Sequence, residues 1–265
     1  MRKDKTAKDS KLVILYHRSY RKLPGSTKIF LLHFALLALP LSLSSLFFYP
    51  EITEKICVIA KNVLDPYYYA DSVSVLSRKY IEGIGPLFYV QVPASYPSYL
   101  FSLGNAVVTL FLLAVLPNIE KFKPFLIFSL ILCTVHIVSS LYFLLFPAYF
   151  PYTGGDYSQL YMLQEISIWI FMPVIMGLAV LPMPVSIFLK ALVMVFIYLY
   201  SLLFGLVRYI VFLMIVSKIS MIYMALLFFA LGPLIDFIYA VGIYTLFVNR
   251  IAKNLAEDFS LWRWQ

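Results

Sequence analysis

The stretch from Leu189 to Arg250 constrains the fold of this chain more than any other feature. It consists of two long apolar segments joined by a very short polar link, Ser217-Lys218. Runs of 18 or more apolar residues exceed what a helix in a soluble core needs, and they are typical of helices that span a bilayer. We therefore predict two long membrane-spanning helices connected by a tight turn.

The rest of the chain is also typical of a membrane protein. Of its 265 residues, 62% are hydrophobic and only 13% are charged, whereas soluble domains average about 25% charged residues. Six apolar segments lie at about 29–48, 99–116, 125–146, 166–181, 185–216 and 219–249. The sequence predicts an all-α, polytopic transmembrane helix bundle of about six spans.

The Lys and Arg residues predict the orientation of these spans. Nine of the 21 lie in the first 28 residues, beside only two acidic residues. Basic loops stay in the cytoplasm, so we place both termini there and the chain in the inner (plasma) membrane. The division is then a basic cytoplasmic segment 1–27, a membrane domain 28–249 and a cytoplasmic tail 250–265. Anionic lipids are the expected partner of segment 1–27, rather than nucleic acid, because an apolar helix follows at once.

Residues 50–98 form the largest segment predicted outside the membrane. Apolar residues recur at helical spacing over Glu51–Leu64, which predicts an amphipathic helix. A second amphipathic helix is predicted over Asp71–Ile81, and Tyr89–Tyr99 should be extended because it contains two prolines. Seven tyrosines from Tyr67 to Tyr99 favour a short cap that lies on the outer membrane surface.

Arg208 and Asp236 are the intramembrane charges of the Leu189–Arg250 stretch, and such charges usually mark functional sites. Arg208 lies nine residues before Ser217, and Asp236 lies 19 residues after it. Along straight helices these counts differ in depth by about 15 Å. We therefore predict no direct ion pair between them unless one helix breaks or lies flat.

Each of these two charges has a functional and a simpler interpretation. In the functional interpretation, Arg208 donates to a bound carboxylate or phosphate. In the simpler one, its side chain reaches the outer lipid headgroups. Asp236 follows Gly232-Pro233, which should open the helix and free backbone carbonyls. The simpler interpretation of Asp236 is a protonated carboxyl that hydrogen-bonds a neighbour.

Five further residues are candidates for a site. His136 shares a helix face with Cys133 and Ser140, and we interpret this face as a structural polar stripe rather than a Cys–His nucleophile pair. Glu165 stands at the mouth of the fourth span. Gly154, Gly155 and Asp156 form the centre of a second outer loop, 147–164, where the glycines permit either close approach of a ligand or an ordinary turn. The pattern of Cys and His residues predicts no metal site and no cofactor.

The order of residues from about 150 onward resembles the exosortase/archaeosortase family of membrane transpeptidase-like proteins. Members of that family have a cysteine at an outward helix mouth, then an arginine on a long span and a histidine at the start of the last span. Here Tyr152–Gly155 occupies the place of the cysteine motif, and Gly205–Arg208 resembles the arginine motif. Only Arg208 is matched, since the outer loop has no cysteine and no histidine follows His136. The resemblance implies an exosortase-like scaffold without Cys–His chemistry.

Three functions follow as hypotheses. The first is a non-catalytic, exosortase-like protein that assists the export or sorting of envelope proteins or polysaccharide. The second is a scaffold subunit that binds other membrane subunits in a larger complex. The third is a small-solute or proton-linked transporter that uses His136 and Asp236, which ranks last because the sequence shows no internal repeat.

Overall fold

A computed structural model describes residues 21–22, 26–69, 72–118, 123–183, 185–257 and 263–264. Residues 1–20 and 23–25 of the basic segment and residues 258–262 and 265 of the tail lie outside the described part. The predicted contact of segment 1–27 with anionic lipids therefore falls mostly on residues that the structure does not describe.

Six long helices account for most of the described residues. They are α1 (Thr27–Tyr67), α2 (Tyr99–Val115), α3 (Lys123–Leu145), α4 (Gly154–Val180), α5 (Ile187–Ile219) and α6 (Met221–Ile251). All except the 17-residue α2 are long and apolar enough to cross a membrane. Many of their large apolar side chains are exposed on the outside of the bundle. The predicted helical membrane fold class is confirmed.

Four short strands define the two ends of the bundle. They are β1 (Arg21–Lys22), β2 (Ser74–Ile81), β3 (Gly85–Gln91) and β4 (Arg263–Trp264). β1 pairs with β4 and brings the terminal segments together at one end, here called the termini end. β2 and β3 pair antiparallel as a hairpin, and the side on which they lie is called the hairpin end. The assignment of the termini end to the cytoplasm stays a prediction.

The hairpin corrects the predicted cap. Glu51–Leu64 is helical as predicted, but it is the continuation of the first span in α1 rather than a separate helix. The predicted helix over Asp71–Ile81 is wrong, because Ser74–Ile81 is a strand. A short run of mixed residues fits either period, and here the turn at Gly83, with φ of 88°, lets the chain fold back and pair. Of the stretch Tyr89–Tyr99, which was predicted to be extended, residues 89–91 belong to β3 and residues 92–98 have no regular secondary structure before α2 begins.

The junction between α5 and α6 is the most irregular part of the bundle. α5 ends in a π turn, Ile215–Ile219, and the next residue, Ser220, is extended. α6 opens with a 3₁₀ turn, Met221–Tyr223, followed by a π turn, Leu226–Ala230, and a bend at 231–232. Regular α-helix begins only at Pro233, and it continues beyond the apolar span to Glu257. The predicted opening of the helix at Gly232-Pro233 is therefore confirmed.

Candidate functional site

A buried ion triad lies where α4, α5 and α6 meet. Arg208 of α5 donates to Oδ2 of Asp236 on α6 at 2.7 Å, and it also donates to Oε1 of Glu165 on α4. The three residues are 4%, 3% and 1% exposed, respectively. The triad thus brings together three of the residues selected from the sequence.

The guanidinium of Arg208 has all five of its N–H donors occupied by the protein. Besides the two carboxylates, Nε donates to the hydroxyl of Tyr161 at 2.6 Å. Nη1 donates to the backbone carbonyls of Gly232 at 3.0 Å and Leu231 at 3.4 Å. A guanidinium has five such donors and no acceptor. Arg208 therefore has no donor left for a substrate anion unless one of these contacts opens.

The prediction that Arg208 and Asp236 are too far apart in depth for an ion pair is wrong. Counting 1.5 Å per residue assumes one straight helix from the turn to Asp236. The first part of α6 instead packs against α3, as shown by the 2.6 Å hydrogen bond from Ser139 to the Ile222 carbonyl. The bend at 231–232 then returns the chain to α5. The structure therefore contains the broken helix that the sequence analysis named as the condition for an ion pair.

Glu165 is not at the mouth of a span, as predicted, but deep within α4. The prediction began the fourth span at residue 166, whereas α4 begins at Gly154. Glu165 lies 11 residues into α4, and Arg208 lies 11 residues before the end of α5. Each count corresponds to about 16 Å from the hairpin end, so the two residues lie at equal depth.

Gly154, Gly155 and Asp156 form a helix start and not a loop. Thr153 caps α4 and forms a capping box with Asp156, whose backbone N–H donates to the Thr153 hydroxyl at 3.2 Å. A Cβ on Gly154 would lie 2.4 Å from the Val92 carbonyl oxygen, and one on Gly155 would lie 1.8 Å from the side chain of Gln91. The two glycines therefore allow the start of α4 to pack against the end of β3.

A chain of tyrosines connects the hairpin to the triad. The backbone N–H of Val90 in β3 donates to the hydroxyls of Tyr209 at 2.8 Å and Ser158 at 3.1 Å. The ring of Tyr209 stacks on that of Tyr161, with centroids 5.5 Å apart. Tyr161 in turn accepts from Arg208. The hairpin and the ion triad are thus parts of one packed unit.

His136 belongs to a second polar site, separate from the triad. Its Nε2 lies 3.1 Å from Oδ1 of Asn105 on α2, and the same oxygen accepts from Tyr223 of α6 at 3.0 Å. The rings of His136 and Tyr223 stack with centroids 5.0 Å apart. This group, here called the neutral junction, joins α2, α3 and the start of α6. These contacts agree with a structural polar role for His136. Among the described residues, no contact connects His136 with Asp236, the two residues that the transporter hypothesis combined.

Four further residues pack around the triad, and of these the sequence analysis had not selected Tyr161 and Tyr239. Tyr161 binds Arg208 directly, and Gly205 makes room for Glu165, since a Cβ there would lie 2.6 Å from Glu165 Oε2. Ser201 lies on the same face of α5 as Gly205 and Arg208, and Tyr239 lies on the same face of α6 as Asp236. The capping pattern Thr153–Asp156 could have shown from the sequence that α4 begins at Gly154. With that start, Glu165 would have been placed at the depth of Arg208.

Comparisons of the chain with protein-family models, with curated proteins and with solved structures gave no match. Within the described part of the chain, no group of three or more His, Cys, Asp or Glu side chains is placed to hold a metal ion. The contacts within the chain therefore carry the functional interpretation.

Proposed function

We propose that the protein is a non-catalytic membrane protein that assists the export or sorting of envelope proteins or polysaccharide. In this proposal the hairpin end faces the outside of the cell, and the hairpin is the surface that meets cargo or a partner. The observation that carries the proposal is the free edge of β2, which is held in place by the helix bundle.

The two edges of the hairpin differ. The edge of β3 is covered, because the N–H groups of Val90 and Phe88 donate to hydroxyls of the helices. No third strand joins β2 among the described residues. An exposed strand edge offers backbone donors and acceptors to an extended segment of another chain.

The exposed part of β2 is basic and aromatic. Residues 76–80 are all exposed, and they include Arg78, Lys79 and Tyr80. Arg78 makes an exposed hydrogen bond with Gln159 at 3.2 Å. These side chains suit contact with an acidic segment or with a hydroxyl-rich polymer.

The hairpin is also fixed against the bundle. The Tyr49 hydroxyl of α1 donates to the Gly85 carbonyl at 2.6 Å and accepts from the N–H of Ile81 at 3.3 Å. Tyr49 is fully buried. A surface held in this way loses little conformational entropy on binding, which favours a docking platform.

The experiment replaces Arg78 and Lys79 together by Glu in the cell of origin. We expect export of the affected envelope protein or polysaccharide to fall severalfold while the protein remains in the membrane at normal level. Lys55→Glu, on the exposed side of α1, is the matched control for added negative charge. Normal export of every tested envelope component in the Arg78→Glu/Lys79→Glu protein would contradict the proposal.

A small-solute or proton-linked transporter is the second candidate. The observation that favours it is the bend at 231–232, whose carbonyls contact a buried ionic cluster. Unwound carbonyls beside charged groups line the substrate and ion sites of many transporters. The test compares proteoliposomes of the wild type and of Asp236→Asn. A flux that Asp236→Asn abolishes supports transport, and equal fluxes in both would exclude a role for Asp236 in it.

A further inference from the structure

The ion triad has an unbalanced charge. Glu165 and Asp236 together carry two negative charges when ionised, and Arg208 supplies only one positive charge. Among the described residues, the other titratable groups packed against it are phenols, Tyr161 and Tyr157 on α4 and Tyr239 on α6. An uncompensated charge in a low-dielectric interior costs several kcal/mol. One further positive charge is needed at this place.

Four buried oxygens near the triad have no hydrogen-bond partner among the described residues. They are Glu165 Oε2, Asp236 Oδ1, the Ser201 hydroxyl and the Tyr239 hydroxyl. Ser201 is fully buried. Unpaired buried polar atoms are rare because each one forfeits its interactions with water. A ligand that contacts several of the four would satisfy them together.

These oxygens converge from three helices. Glu165 Oε2 lies against Gly205, which is one helical turn from Ser201 on the same face of α5. Tyr239 packs beside that face, with its ring 4.9 Å from the ring of Tyr200, the residue before Ser201. The Tyr239 hydroxyl is close to both Ser201 and Asp236. The oxygens of Ser201, Asp236 and Tyr239 are thus neighbours, and Glu165 Oε2 lies one helical turn from Ser201.

We propose that Glu165, Asp236, Ser201 and Tyr239 form a binding site for one exchangeable monovalent cation, either a proton or sodium. The site is independent of the proposed role of the hairpin. A monovalent cation brings the triad to neutrality, whereas a divalent ion would leave a positive charge. Oxygen ligands suit a hard cation. A proton would bind one carboxylate oxygen, and the resulting O–H would donate to an unpaired neighbour.

The sodium arm measures thermal unfolding of the purified protein in detergent, with choline chloride keeping the ionic strength constant. Sodium at the site gives a saturable rise of several degrees in the unfolding midpoint that choline does not give. Ser201→Ala removes one ligand without changing charge, and it should weaken the apparent sodium affinity severalfold. Ser129→Ala is the control, because Ser129 is a half-buried serine of α3 that bonds within its own helix, and it should leave the affinity unchanged.

The proton arm measures the infrared spectrum in sodium-free buffer. A proton at the site gives a carboxylic-acid C=O band near neutral pH that disappears in Glu165→Gln or in Asp236→Asn. A sodium effect that Ser201→Ala leaves unchanged would overturn the proposal, because the ion would then lie elsewhere. It is equally overturned if the wild type shows neither a sodium effect nor a carboxylic-acid band that depends on Glu165 or Asp236.

Discussion

The ion triad and the neutral junction are two ways of burying polar groups in one helix bundle. The triad joins α4, α5 and α6 through full charges, and the neutral junction joins α2, α3 and α6 through an amide, an imidazole and a phenol. Both depend on the irregular start of α6, which contributes Tyr223 to the junction and the Gly232 carbonyl to the triad. Residues 221–232 therefore connect the two sites.

The two sites should differ in what their loss costs. Neutral hydrogen bonds between membrane helices contribute about 0.6 kcal/mol each on average. Removal of one partner from a buried ion pair costs about 3–5 kcal/mol, because it leaves an unpaired charge. The triad should therefore limit which substitutions the bundle tolerates, and the neutral junction should tolerate most of them.

The largest effect is expected for Arg208→Met. The two carboxylates would then lose the guanidinium between them, and we expect the free energy of unfolding to fall by about 3–5 kcal/mol. Reversible unfolding in mixed micelles measures this. The matched protein carries Arg208→Met with Glu165→Gln and Asp236→Asn, and it should recover most of the loss because no charge remains buried. Wild-type stability of Arg208→Met alone would show that the triad does not form.

A smaller effect is expected for Gly205→Ala. A Cβ at this position would lie 2.6 Å from Glu165 Oε2, and overpacking of this kind costs about 1–3 kcal/mol. Gly104→Ala in α2 is the control, since a Cβ there meets no atom within 4 Å. The control should be neutral or should stabilise its helix by up to about 1 kcal/mol. Equal effects of the two substitutions would mean that Glu165 does not lie against Gly205.

The smallest effect is expected at the neutral junction, for Asn105→Leu. This removes the oxygen that contacts His136 and Tyr223, and we expect a loss of roughly 1 kcal/mol from two neutral hydrogen bonds. Unfolding in the same micelles measures it, and Thr134→Val serves as the control because Thr134 bonds only within α3. A loss as large as that of Arg208→Met would remove the distinction between the two sites.

The sequence predicted the helical membrane fold because apolar runs report burial in lipid directly. It also identified Arg208 and Asp236, since charges inside such runs are rare, and it selected Glu165 at the mouth of a span. It missed how they meet, because the depth of a residue depends on where each helix begins and on whether it is straight. Glu165 was assigned to a helix mouth when the start at Gly154 was not recognised, and Asp236 was placed too deep when the path of residues 221–232 was taken as regular.

The hairpin was missed for a different reason. Residues 74–81 have no strict alternation of apolar and polar side chains, and their strand state depends on pairing with β3 and on support from Tyr49. Such contacts are far apart in sequence, and local propensity does not report them. Gly154 and Gly155 likewise needed the position of Val92 and Gln91 before their role was evident.

A double-mutant cycle between Arg208 and Asp236 tests the ion triad most directly. It compares the free energies of unfolding of Arg208→Met, Asp236→Asn and the double variant with the wild type. A direct ion pair at 2.7 Å predicts strong coupling, with the double variant more stable by at least about 1 kcal/mol than the sum of the single effects implies. Effects that add within about 0.5 kcal/mol, as expected of residues 15 Å apart in depth, would contradict the triad.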